Sequence, residues 1–237
     1  YDTPIVYVNV YINASGLDDP LNKELLSEKA FYLLKEGTSK YPTEDHIRNK
    51  LFSLGSDDGR FKRYYINFNH SSIQDYFLKE DVKDGIELLS EILIHPTYPI
   101  FLPRLLSRVM FLFSPKSGFI RNWELLKLHS WHQYANIIKP IGPKVSDSKK
   151  NLLQWHKNNI VPQHITIMVS GDVNILYIKQ IIDKYFGDWE PSKVESNKQN
   201  YSINLNKNTG IKLRFINVKN NKDAYIQIMN KGPSITD

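Results

Sequence analysis

Strand-like and helix-like stretches follow one another along this 237-residue chain in pairs, not in strict βαβ alternation. That order selects an α+β layer sandwich, an antiparallel or mixed sheet packed with helices. Residues 4–12, PIVYVNVYI, alternate and are β-branched or aromatic, which reads as a strand. Asp19 is the expected N-cap of the next helix, with Pro20 as its first residue. Leu21, Leu25, Leu26, Ala30, Leu33 and Leu34 then recur at helical spacing, and Gly37 is the expected C-terminal cap. Thr43 opens a second helix, striped by Ile47, Leu51 and Leu54 and ended by Gly55. Two strand patterns, 61–68 and 72–78, precede a helix over 81–94 that buries Val82, Ile86, Leu89 and Leu93 and stops at His95-Pro96. Residues 100–113 and 119–130 read as helices, and Ser146-Asp147 starts another that carries Leu152, Leu153 and Trp155. A short buried strand at 165–169, a Ser170-Gly171-Asp172 turn and a helix over 175–186 complete this run.

Residues 191–210 are rich in Asn, Lys and Ser and read as a linker. Strand patterns at 211–218 and 225–229 follow, with no helix to cover them, and two bare strands form no independent core. The expected organisation is a lobe over 1–190, a linker over 191–210 and the first strands of an incomplete second lobe over 211–237.

The net charge of +6 suggests a nucleic-acid partner, but its distribution does not support one. Residues 1–190 hold 23 Lys and Arg against 22 Asp and Glu, while residues 191–237 hold 8 against 3. Lys outnumbers Arg 24 to 7, whereas phosphate forks favour Arg, and no recognition motif is present. A nucleic-acid partner is therefore not expected. No apolar run approaches the roughly 18 residues that a membrane span needs. The absence of Cys removes disulfides, thiolate metal sites and cysteine nucleophiles.

The residues alone offer weak candidates for chemistry. Among seven His there is no HExxH or HxxEH. His129 and His132, three apart in a helical stretch with Glu124 nearby, are a candidate zinc pair; the alternative is two polar residues at a helix end beside Trp131. His46, His70, His95, His156 and His164 have ordinary structural uses. Ser170 lies between a strand and a helix but lacks the Gly-x-Ser-x-Gly frame, so a turn is the simpler reading. Asp18, Asp19, Asp57 and Asp58 are explained by helix capping and turns.

Several blocks in order do resemble a known family. VYVNVYINASGLDDPLNKELLSEKAFYLLKEGT, HIRNKLFSLGSDDG, IELLSEILIHPTYP and His132-Gln133-Tyr134 resemble successive segments of the pitrilysin/insulinase-type zinc metallopeptidases. NLLQWHKNNIVPQHITIMVSGDV, with YFGDW after the next helix, is the most specific block. This family includes the mitochondrial processing peptidase subunits and bacterial paired peptidases. The blocks span residues 4–190.

The resemblance implies a His-x-x-Glu-His motif on the first long helix, with a distal Glu as third ligand. Anchoring on Gly37-Thr38 puts Glu28, Phe31 and Tyr32 at the motif's His, Glu and His. None matches, and the region around Arg108, where the distal Glu would fall, holds no carboxylate. The chain therefore resembles the family's non-catalytic lobes, with Phe31 and Tyr32 as packing residues and neither catalytic residues, metal nor cofactor of its own. Zinc is expected in a partner lobe or subunit. The implied function is peptide binding and chamber closure in proteolysis by that partner, with the peptide added as a strand to a sheet edge. The alternative is a non-proteolytic scaffold subunit of a larger complex.

Overall fold

The structure, a computed structural model, describes residues 4–20, 26–66, 70–99 and 148–192. All of them belong to one compact unit of the chain. The helices expected at 100–113 and 119–130, the strands expected at 211–218 and 225–229, and all of the expected linker beyond Ser192 lie outside the described residues.

Among the described residues, four strands form one sheet: β1 (Ile5–Ile12), β2 (Arg63–Ile66), β3 (Ser71–Leu78) and β4 (Ile165–Gly171). Their order is β2-β3-β1-β4 and every pairing is antiparallel. The fold class is therefore α+β with an antiparallel sheet. Val6, Val8, Val10 and Ile12 of β1 are fully buried on one face, with Ile73 and Phe77 of β3 beside them. Against them lie α1 (Leu26–Leu33), α2 (Glu44–Ser53), α3 (Val82–Ile94), α4 (Lys149–Asn159) and α5 (Ile175–Phe186). These helices contribute Ala30, Phe31, Ile47, Ile86, Leu89, Leu93, Leu152, Trp155, Ile178 and Ile181 to the same core. α1 packs on α4, and α3 on α5.

Several termini follow from side-chain chemistry. Thr43 caps α2 as expected, accepting the His46 N–H. Gly55, at φ +87°, follows the end of α2 in the left-handed region that glycine favours. α3 buries the four expected residues and also Leu88 and Ile92, so its apolar surface is wider than one stripe. Asn174 caps α5 through bonds from the Leu176 and Tyr177 N–H groups at 2.8 and 3.2 Å.

Other expectations need correction. Pro20 is not helical, and Asp19 acts at longer range. Its carboxylate accepts the Ser27 N–H at 2.7 Å and the Ser27 hydroxyl at 3.0 Å, satisfying a first-turn donor of α1 from eight residues away. Gly37 follows a 3-10 turn over Leu34–Glu36, but its φ of 169° is ordinary extended backbone. Close approach explains this glycine instead: a Cβ there would lie 2.5 Å from the Pro42 carbonyl oxygen. The backbone pairs it against the loop after α3, where Thr97 N–H donates to the Gly37 carbonyl at 3.0 Å. β2 starts at Arg63, two residues later than expected, because the Asp57–Lys62 approach is a loop. Ser148, not Ser146-Asp147, caps α4, accepting the Asn151 N–H at 3.3 Å. Of the apolar residues this helix carries, Leu152 and Trp155 are buried and Leu153 is 40% exposed. β4 is an edge strand of intermediate and exposed residues, not a buried one, since β1 is its single strand neighbour among the described residues.

Candidate functional site

α1 presents the three positions that the family motif would occupy, and their surroundings differ. Phe31 is fully buried. Its ring lies 4.5 Å from that of Tyr64, centroid to centroid, and Tyr64 in turn lies 5.8 Å from Phe61. The Tyr64 hydroxyl donates to the Phe31 carbonyl oxygen at 2.5 Å, tying β2 to α1. Tyr32 is 38% exposed, and its ring is 6.3 Å from both Phe31 and Tyr64. Burial and then the nearby Glu28 carboxylate push the Tyr32 hydroxyl above its ordinary pKa. Lys35 stands over the Tyr64 ring, its ammonium 4.8 Å from the centroid. The space between α1 and β2 is thus filled by aromatic rings, with Glu28 and Lys35 near its margin.

Among the described residues, no group of three or more His, Asp or Glu side chains is placed to hold a metal ion. His129, His132 and Glu124 lie outside the described residues, as does the region around Arg108. The other histidines have structural contacts. His46 meets the Thr43 hydroxyl at 2.7 Å, and His164 contacts the Asn159 carbonyl oxygen at 2.9 Å. His95 caps the C-terminus of α3. His156 is buried and donates from Nε2 to the Leu93 carbonyl oxygen at 2.9 Å. Burial lowers its pKa to about 4, so at neutral pH the ring is uncharged. Ser170 lies within β4 opposite Tyr7, and three residues separate the strand from α5, so the sharp turn of a nucleophile elbow is missing.

The second face of the sheet carries a surface that motif reading missed. Tyr7 of β1 sits between Tyr76 of β3 and Ser170 of β4, and Asn9 sits between Gln74 and Met168. Ile5, Tyr7, Tyr76, Leu78 and Met168 are all 38–46% exposed. The Tyr7 hydroxyl donates to Gln74 Oε1, and the Ser72 hydroxyl to Asn9 Oδ1, both at 2.8 Å. His70 stacks on Tyr11 at 5.1 Å and takes Tyr65 edge-on at 5.9 Å. This face is tyrosine-rich, held in place by its own hydrogen bonds, and partly open to solvent. The signal was available in the alternation of β1, whose odd positions, Tyr7 and Tyr11 among them, must face away from Val6, Val8 and Val10.

Comparison with known proteins agrees with this architecture. Residues 148–237 match the family model described as the peptidase M16 inactive domain. No curated protein matches by sequence. The first half of the periplasmic protease PqqL from Escherichia coli shares the fold, with a TM-score of 0.71 at 15% identity, over 85% of this chain and 44% of that one. PqqL itself gives a TM-score of 0.68 at 16% identity, over 82% of this chain and 22% of that one. A protease from Helicobacter pylori gives 0.63 at 13% identity, over 82% of this chain and 48% of that one. The chain therefore spans less than half the length of each of these proteins. Residues 148–237 thus resemble the inactive domain of M16 peptidases, and the chain shares its fold with these proteases.

Proposed function

We propose that this lobe serves proteolysis without performing the chemistry. It forms part of a peptide-enclosing chamber, and a homologous lobe, in a partner subunit or in the same protein, holds the zinc. The observation that carries this reading is the packing at α1. A zinc-activated water needs imidazoles and a carboxylate around an open coordination position. Here the central position is Phe31, fully buried, and its neighbours are Tyr32, Tyr64 and Phe61. Peptide binding would use an exposed sheet edge, where backbone pairing reads length and extension more than sequence. The tyrosine-rich face offers apolar and hydrogen-bonding contacts beside such an edge.

The purified chain alone is expected to bind no stoichiometric zinc at neutral pH and to cleave no peptide. Metal analysis by mass spectrometry, with a quenched fluorescent peptide library, checks both. One tight zinc per chain would sink the reading. Co-purification supplies the complementary arm: a bound subunit carrying HxxEH supports chamber closure, and a complex without any peptidase supports the scaffold alternative.

A further inference from the structure

β3 places a carboxyl in a row otherwise suited to the core. Ser71, Ile73, Asp75 and Phe77 oppose Ile12, Val10, Val8 and Val6 of β1, all four fully buried. Asp75 itself is only 2% exposed. Its Oδ1 accepts the Tyr76 N–H at 2.9 Å. Its Oδ2 is buried with no hydrogen-bond partner. An ionised carboxylate in that setting lacks the solvation it had in water and gains one bond in return. Burial accordingly pushes the Asp75 pKa up to about 6, against the opposing effects of the Tyr76 N–H and Lys62.

Its place along the strand is equally specific. The β2 ladder on β3 runs from Ile66 opposite Ser71 to Arg63 opposite Gln74, and there it ends. Asp75 is the next residue, at the point where the edge strand leaves the sheet. β2 has four residues and a strand neighbour on one side among the described residues. The charged groups acting on Asp75 are Lys62 and Asp58, both in the loop that leads into β2. β1 opposes it with Val8, which cannot titrate. β2 brings Tyr64, its hydroxyl committed to the Phe31 carbonyl, and α1 brings Lys35 over the Tyr64 ring. Lys62 lies 5.1 Å from the Tyr76 ring and 3.2 Å from Asp57.

We propose that Asp75 is a proton-operated latch on the β2–β3 hairpin. Protonated, the side chain is neutral and the hairpin packs onto the core. Ionised, it favours local opening, which lets water and Lys62 reach Oδ2. Tyr76, whose N–H the same carboxyl holds, moves with it, so the latch also governs one exposed ring of the tyrosine-rich face. The sign follows from the raised pKa. The latch is fully closed below about pH 4, the unfolded value, and is released as the pH rises through about 6. The latch is independent of the chamber reading above.

Amide hydrogen exchange on the full chain, corrected for intrinsic rates, tests it. Protection at 63–66 and 71–74 is expected to fall by about twenty- to thirtyfold between pH 4.5 and 7.5, since part of the two-unit effect is already lost at the lower pH. Protection in α3 should stay level. Asp75→Asn keeps an oxygen for the Tyr76 N–H and should abolish the fall. Carbon-13 titration of the unsubstituted chain gives a second readout that needs no variant, with a carboxyl midpoint near 6 expected. A midpoint near 4, or an Asp75→Asn hairpin that still loosens with pH, would overturn the proposal.

Discussion

Replacing Phe31 with alanine should cost the lobe about 3–5 kcal/mol of stability, the range for emptying a buried phenylalanine site. The ring is fully buried and packs on Tyr64, which is hydrogen-bonded back to the Phe31 carbonyl. The cavity would open between α1 and β2, leaving β2 held mainly by its ladder to β3. Urea or thermal denaturation reads the loss, on the order of 10 °C in Tm for a lobe of this size. Tyr32→Ala is the internal control. With its ring 38% exposed, it should cost about 1 kcal/mol. Equal losses at the two positions would show that the aromatic cluster is not organised around Phe31.

Gly171→Val should be similarly damaging, by about 3 kcal/mol or more, through backbone strain plus a clash. Gly171 ends β4 at φ +131°, where L side chains are rarely found. A Cβ there would lie 2.3 Å from the Ile5 carbonyl oxygen and 3.1 Å from the Val6 Cα. Neither is the tip of a flexible chain, so relief requires β4 to peel from β1. Denaturation midpoints and exchange of the β4 amides would both report it. Ser170→Ala beside it should stay within about 0.5 kcal/mol, because the residue is exposed and its packing is slight.

The sequence foretold those features whose causes are local. α3 and α5 show helical periodicity, and the Thr43 cap and the stop at His95-Pro96 depend on residues a few positions apart. Features set by distant chain were less legible. Asp19 has the look of a local cap, yet its partner Ser27 is eight residues on. Gly37 stands where a helix terminator is expected, yet Pro42 and Thr97 are what exclude a side chain there. The mostly apolar start of β4, Ile165, Ile167, Met168 and Val169 around Thr166, could not reveal that the strand lies at an edge. At the family-motif positions, Phe31 was legible as a packing residue, while Tyr32 is only half buried, because it lies one step round the helix. Asp75 left no trace in SSIQDYFL; only the register against β1 assigns it to the core face.

The seating of His156 behind the Leu93 carbonyl has a consequence for how the lobe as a whole meets acid. This ring resists protonation in the fold, with a pKa of about 4 against an ordinary 6.5. Its contribution is present above pH 6.5 and is lost as the pH falls toward 4. The mirror-image group is Asp75, whose contribution is present below 3.8 and is lost as the pH climbs through about 6. Each displacement spans two pH units or more, on the order of 3 kcal/mol, and the signs are opposite. Across mildly acidic pH the two therefore offset each other like paired weights. Global melting of the unsubstituted chain should be nearly level there, while Asp75→Asn alone should tilt it toward acid lability. Calorimetry at half-unit pH steps would read both profiles. A fold that carries both groups meets mild acidification by closing one hairpin, with its global stability nearly unchanged.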